Sequence, residues 1–173
     1  MLKLVLPKGS LEKATLQLFE EADLTVRRSS DVDYRATIDD PRIADVRILR
    51  PQEIPMYVAD GLFDVGIAGR DWIEETSSDV VPLGELKYSK VTAEPVKIVV
   101  AVPADSEYES IADLPQGVRV SSEYPELTNR HFAAAGIEAE VMLSYGATEA
   151  KAPEIVDAVV DLTAVSYTHL RAH

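Results

Sequence analysis

Along the chain, short apolar and β-branched runs alternate with stretches whose apolar positions recur at helical spacing, a pattern that predicts an α/β fold. Leu2–Leu6, apolar except at Lys3, reads as a buried parallel strand. Ser10 is placed to cap a helix running to about Ala22, with Leu11, Ala14, Leu16, Leu18 and Phe19 apolar along it and Glu12 in its first turn. Leu24–Val26 is a short strand. Asp33–Ile38 and Asp45–Leu49 form a strand pair around the turn Asp39-Asp40-Pro41. Pro51 precedes a short helix over Glu53–Asp60, in which Pro55 is tolerable only in the first turn. Gly61 closes that helix, Phe63–Ala68 is the next strand, and Gly69-Arg70-Asp71-Trp72 opens another helix.

The texture then changes. Ser77-Ser78 leads into an extended arm over Val80–Lys90, and a fresh βα series begins at Lys97–Val102. Strands follow at Val118–Ser121, Glu138–Leu143 and Ala158–Leu162. A helix lies over Pro125–Ala135, closed by Gly136, and a helical turn at Pro153–Val156. We place a first α/β lobe at 1–92 and a second at 93–163, with the boundary around Ala93-Glu94-Pro95. Two such lobes on a hinge suggest a ligand cleft between them.

Composition narrows the function classes. The 173 residues are 46% hydrophobic and 27% charged, near globular averages, and no apolar run is long enough to span a membrane. No signal peptide is visible, and with no cysteine there is neither a disulfide frame nor a thiolate metal site. The expectation is a cytoplasmic protein. Its net charge of −13 would repel a polyanion, which argues against nucleic acid as a partner. That charge is unevenly spread: nine basic against nine acidic side chains in 1–50, three against eight in 51–92, five against thirteen in 93–173. Either these are solvated helix faces, or the first lobe keeps its cations for a small anionic ligand.

Three turns could carry chemistry. Leu6-Pro7-Lys8-Gly9-Ser10 takes a strand into a helix, offering free N–H groups, an ammonium and a glycine that lets the backbone approach a phosphate. The same residues also suit an ordinary capped helix with a solvated lysine, and the spaced glycines of a Walker or dinucleotide loop are missing. Gly66-Ile67-Ala68-Gly69-Arg70-Asp71 delivers a guanidinium that can grip phosphate and a carboxylate that can accept from ribose hydroxyls or an amine. A surface ion pair is the other reading. Arg50, at the end of Asp45–Leu49, reaches the same kind of loop, whereas Arg47 alternates onto a sheet face. Last, Val160-Asp161-Leu162-Thr163 ends an apolar strand in Asp-x-Thr, suited to holding ribose and 5-phosphate, although many structural strands end so too. No nucleophile constellation or metal cluster stands out. His131 reads as a packing or surface histidine, Trp72 as a packing anchor, and Tyr124 and Tyr145 as core or rim residues that could also line an adenine.

Taken in order and spacing, these segments resemble the ATP phosphoribosyltransferase family. The resemblance rests on Leu6-Pro7-Lys8-Gly9-Ser10, Leu49-Arg50-Pro51-Gln52-Glu53-Ile54-Pro55 and Asp60 through Asp71. It continues through Tyr124-Pro125 with Thr128-Asn129-Arg130-His131-Phe132, and Gly146-Ala147-Thr148-Glu149 leading to Asp157–Thr163. It implies a two-lobed, periplasmic-binding-protein-like fold. The reaction it implies is a pentosyl transfer joining ATP, through adenine N1, to phosphoribosyl pyrophosphate, the first step of histidine biosynthesis, with Mg²⁺ carried mostly by the substrate. By the same resemblance Lys8, Gly9, Arg50, Arg70 and Asp71 would line the substrate site, Asp161 with Thr163 would begin the phosphoribosyl loop, and Glu149 is a further substrate-binding candidate. It also implies homo-oligomers, and in the short form of the family a regulatory subunit.

Beyond Thr163 the sequence departs from the family pattern. Val165, Ser166 and His169 stand where a hydroxyl, a glycine and a leucine are usual, while Thr168 can be placed on the second threonine. A side chain in place of the glycine intrudes on a loop that packs its N–H groups against phosphate. The expectation is that 164–173 is a non-native tail on a second lobe that is incomplete, and that this chain turns over poorly or not at all. The alternative from another class is a non-catalytic cytosolic solute-binding module of the same two-lobed shape.

Overall fold

The computed structural model describes residues 1–86, 96–163 and 170–172. The backbone separates into two compact units, Met1–Ala93 and Glu94–His173, each built on one five-stranded sheet. Among the described residues no helix is long and apolar enough to cross a membrane.

In the first unit the strands are β1 (Leu2–Pro7), β2 (Val26–Arg27), β3 (Arg35–Ile38), β4 (Ile43–Leu49) and β5 (Val65–Gly66), in the order β2-β3-β4-β1-β5. β1 lies parallel to β4 on one side and β5 on the other, while β2 and β3 are antiparallel additions. Alternation along β1 serves two layers. Leu4 and Leu6 pack with Val46, Ile48, Leu16 and Phe19, the last two from α1 (Glu12–Glu21). Val5 faces the other way, where a Cβ on Gly66 would meet it together with Ile54 and Val58 of α2 (Ile54–Ala59). The sheet is thus covered on both faces, as parallel strands require. The turn between β3 and β4 is locked by Arg42, whose side chain and amide donate to the Asp40 carboxylate and hold it down at about 2.

The second unit holds β6 (Ile98–Pro103), β7 (Val118–Ser122), β8 (Ala139–Leu143), β9 (Ala158–Leu162) and β10 (Leu170–Ala172), in the order β10-β6-β9-β7-β8. β7, β8 and β9 are parallel; β6 is antiparallel to β9 and to β10. Its core is Val100, Val102, Val118, Val120, Ala158 and Val160 with Phe132 of α4 (Pro125–Ala134), and Ala101, Val156 and Val159 pack on the opposite face.

Several predicted elements shift. Ser10 is not the cap: Gly9–Leu11 forms a 3-10 turn ahead of α1, Lys8 occupies the cap position, and no side chain caps it. The strand predicted over Phe63–Ala68 pairs only at Val65–Gly66, because Asp64 and Ile67 bond to β1 at single positions beyond the ladder. The helical turn predicted at Pro153–Val156 lies earlier, as a 3-10 turn over Thr148–Lys151, and the Ala152–Pro153 peptide bond is cis. Of the predicted arm, residues 80–86 carry no regular structure and 87–90 lie outside the described residues. Positions 165, 166, 168 and 169 also lie outside them.

Candidate functional site

Because β4, β1 and β5 are parallel, their carboxyl ends leave the first sheet at one edge, the place where open α/β sheets bind ligands. Lys8 follows β1 and Arg50 follows β4. They are neighbours, since Pro7 pairs with Leu49 and the Lys8 amide donates to the Leu49 carbonyl at 2.7 Å. The Lys8 ammonium sits 4.3 Å from the centre of the Tyr34 ring, just ahead of β3, so it is held across the end of β4 by a cation–π contact. Arg50 is exposed, and its carbonyl accepts from the Glu53 amide.

Gly9 takes φ 86°, a left-handed conformation that explains the glycine. Its amide does not stand open. It donates to Glu12 Oε2 at 3.3 Å, and Arg28 Nη2 donates to the other oxygen of that carboxylate at 2.5 Å. A side-chain carboxylate thus occupies the position in which an anion would meet this amide.

Past β5, Gly69 caps α3 (Arg70–Thr76). Arg70 is highly exposed and donates to Glu74 one turn on, at 2.6 Å. Asp71 is half-buried and its carboxylate folds back on Gly69, so closely that a Cβ there would collide with Oδ1. All five first-unit candidates therefore leave one edge, with Lys8 and Arg50 adjacent and Arg70 and Asp71 at the start of the next helix.

The second unit repeats the arrangement. β7, β9 and β8 end at one edge, and Glu123, Asp161, Thr163 and the turn bearing Glu149 all stand there. Asp161 is partly buried, and its carboxylate accepts from the next amide, Leu162, at 2.6 Å. Burial pushes its pKa up; the Leu162 amide works against that rise, and the charge of Glu149 adds to it. Thr163 uses its hydroxyl to accept from the Lys97 amide at 3.0 Å, and its own amide donates to the Lys97 carbonyl, extending the β6–β9 ladder by one residue.

Sequence reasoning missed Glu123, Lys151 and the hydroxyl pair of Ser144 and Thr148 at this edge. Glu123, between β7 and α4, has its pKa raised by burial and by Asp161, against the opposing charge of Lys151. Lys151 donates to Ser144 Oγ at 2.6 Å, and Ser144 Oγ bonds Thr148 Oγ1 at 2.7 Å, both hydroxyls being buried. The signal was the polar content of Ser144 through Lys151 directly after an apolar strand. Among the described residues no group of three or more His, Cys, Asp or Glu is placed to hold a metal ion.

A model of the HisG family, described as ATP phosphoribosyltransferase, matches residues 50–173. The ATP phosphoribosyltransferase of Desulforudis audaxviator is 47% identical over 164 residues, covering 94% of this chain and 55% of that protein. That of Thermodesulfovibrio yellowstonii is 46% identical over 173 residues, covering 100% and 58%. The chain thus spans little more than half the length of the curated relatives it matches. Among solved structures, an ATP phosphoribosyl transferase (HisG:HisZ) complex from Thermotoga maritima superposes with a TM-score of 0.79 at 21% identity, covering all of this chain and 81% of that one. The periplasmic aliphatic sulphonate binding protein SsuA of Escherichia coli follows at a TM-score of 0.52 and 18% identity, over 99% of this chain and 55% of its own. At such identities these two likenesses show the fold, and it is the periplasmic-binding-protein type.

Proposed function

We propose, from the premise that the chain belongs to the ATP phosphoribosyltransferase family, that the whole protein joins ATP to phosphoribosyl pyrophosphate in the first step of histidine biosynthesis. The adenine N1 lone pair forms the new bond to ribose C1. The C1–O bond to pyrophosphate breaks, and its electron pair leaves with the pyrophosphate. The substrate brings its own leaving group, so positioning and charge neutralisation can supply the catalysis.

The observation that carries this reading is the chemistry of the two edges. The first sheet offers Lys8 and Arg50 side by side, with Arg70 and Asp71 beyond. Two cations suit phosphate oxygens, and the Asp71 carboxylate suits an amine or a hydroxyl. The second sheet offers Asp161 and Glu149, acceptors for ribose hydroxyls, with Thr163 opening the loop that follows. Mg²⁺ would enter on the pyrophosphate oxygens, since it keeps several waters and needs few protein ligands; the oxygen-rich edge of Asp161 and Glu149 suits such a hydrated ion. Both substrates are metabolites of the cell interior, which supports a cytoplasmic location, and the family supports homo-oligomers. The Thermotoga neighbour, a HisG:HisZ complex, supports a partner subunit as well.

Pyrophosphate release from ATP, phosphoribosyl pyrophosphate and Mg²⁺ tests the assignment. The 173-residue chain is expected to turn over negligibly, because Ser166 replaces the glycine of the phosphate loop. A rate like that of an intact homologue would refute that expectation. In the whole protein Lys8→Met and Arg50→Met should each raise the KM for an anionic substrate. Calorimetry on the chain separates the classes: affinity for ATP or AMP supports the transferase, and affinity only for an amino acid or oxyanion would replace it with a solute sensor.

A further inference from the structure

The loop from Ser144 to Lys151 is held in a shape its own backbone disfavours. Gly146 and Ala147 have φ of 106° and 48°, two successive positive values, and the second falls on a residue with a Cβ. A non-glycine residue persists in the left-handed region only where its surroundings over-determine it, at about 1 kcal/mol or more. Here the surroundings are a chain of polar contacts. The Ser144 amide donates to the Ser122 carbonyl at 2.8 Å, fixing the start of the loop to the end of β7. Lysine can only donate, so Ser144 Oγ accepts from Lys151 Nζ at 2.6 Å; the bond to Thr148 Oγ1 at 2.7 Å completes the chain. Lys151, half-buried, thereby ties the last residue of the loop directly to the first, at a buried hydroxyl that also bonds Thr148.

The loop carries Glu149, whose charge reaches Asp161 on β9, while the charge of Lys151 reaches Glu123 after β7. Among the described residues these four are the charged groups gathered here from the loop, the end of β7 and β9. We propose that Lys151 is a positioning residue: by closing the Ser144–Thr148 hydroxyl pair it holds the loop in its left-handed turn and sets Glu149 beside Asp161, at the edge that takes the phosphoribosyl group. The ligand class rests on the function proposed above; the positioning rests on the hydrogen bonds and the backbone.

Carboxyl titrations by carbon-13 NMR on the chain test it, because displacement of the loop and loss of a charge move different groups. Lys151→Met keeps the length of the side chain and removes both its bond and its charge. Glu123 then loses a cation and its midpoint rises, whereas Asp161 loses Glu149 as a neighbour and its midpoint falls. Ser144→Ala keeps the charge and removes the acceptor, so Asp161 falls through loop displacement while Glu123 rises less than in Lys151→Met. Lys151→Arg restores both. A lysine that acted by charge alone would leave Asp161 unchanged or higher in the first two variants, and that result overturns the proposal; so does an unchanged Asp161 in Ser144→Ala should Lys151→Met fail to fold. With the titrations moving as expected, Lys151→Met should weaken phosphoribosyl pyrophosphate binding about tenfold and leave ATP affinity alone. Titrations that shift without any change in that affinity would retain the positioning role and discard the phosphoribosyl reading of this edge.

Discussion

At the level of single residues, two glycines and one tyrosine show how the first edge is made. Gly66 sits where β5 passes beneath α2. A Cβ there would lie 2.7 Å from Ile54 Cγ2 and 3.0 Å from Val5 Cγ1 and Val58 Cγ2, all in side chains packed between sheet and helix. Overpacking of this kind costs about 1–3 kcal/mol, so Gly66→Ala should destabilise the first unit by that amount, read as a lower urea midpoint at unchanged slope. Tyr34 acts on a cation rather than on packing. Its ring keeps the Lys8 ammonium at the carboxyl edge, a contact worth about 0.5–1 kcal/mol when exposed. Ring currents should shift the Lys8 Cε protons upfield; Tyr34→Phe is expected to keep that shift and Tyr34→Leu to abolish it. The turn at Lys8 and Gly9 was legible in the sequence because a glycine between a strand and a helix suits a positive φ. Tyr34 was not, since its contact bridges two elements separated in sequence and no local pattern records it.

Elements were legible where period and length agreed and blurred where tertiary pairing decided. Ala158–Leu162 came out as read because five apolar-rich residues bounded by polar ones have one arrangement between β6 and β7. β5 shrank to Val65–Gly66 because the flanking Asp64 and Ile67 meet β1 only through single hydrogen bonds outside the paired register. Ser10 looked like a cap because its residue type fits, yet the 3-10 turn puts Lys8 at that position instead. The acids at the second edge are the most consequential case. Asp161 was placed by its strand, but its burial beside Glu123 depends on β7 and β9 being neighbours, which sequence alone does not give. Burial raises both carboxyl groups, and each acts through further charges: Asp161 on Glu123, Glu149 on Asp161. A carboxyl raised on folding contributes stability that is fully present below its unfolded value, about 4, and lost as pH rises through its folded value. Urea unfolding at pH 4 and pH 7 should therefore show a smaller loss on the alkaline side for Glu123→Gln and Asp161→Asn than for the parent chain. An equal loss in parent and variants would mean the two groups titrate alike folded and unfolded.

For the molecule as a whole, the residues that fill each core decide how stability is distributed. The first core takes its buried members from β1, β3 and β4, and the second from β6, β7, β9 and α4, with Leu114 and Ile137 between them. Among the described residues, neither cluster includes one from the other unit. Proteins open in cooperative segments whose free energies follow their own buried contacts, so each sheet should carry its own protection against amide exchange. Phe132 is the sharpest probe because, among the described residues, it is the largest of the fully buried side chains. Removing its ring leaves a cavity costing about 3–5 kcal/mol. Phe132→Ala should accelerate exchange at the amides of β7 and β9, which it covers, and leave those of β1 and β4 near their parent rates. Ile48→Ala, buried in the first core, should do the reverse. Equal acceleration in both sheets from either variant would mean that the two units open as one, and stability would then be a property of the whole chain rather than of each sheet and its helices.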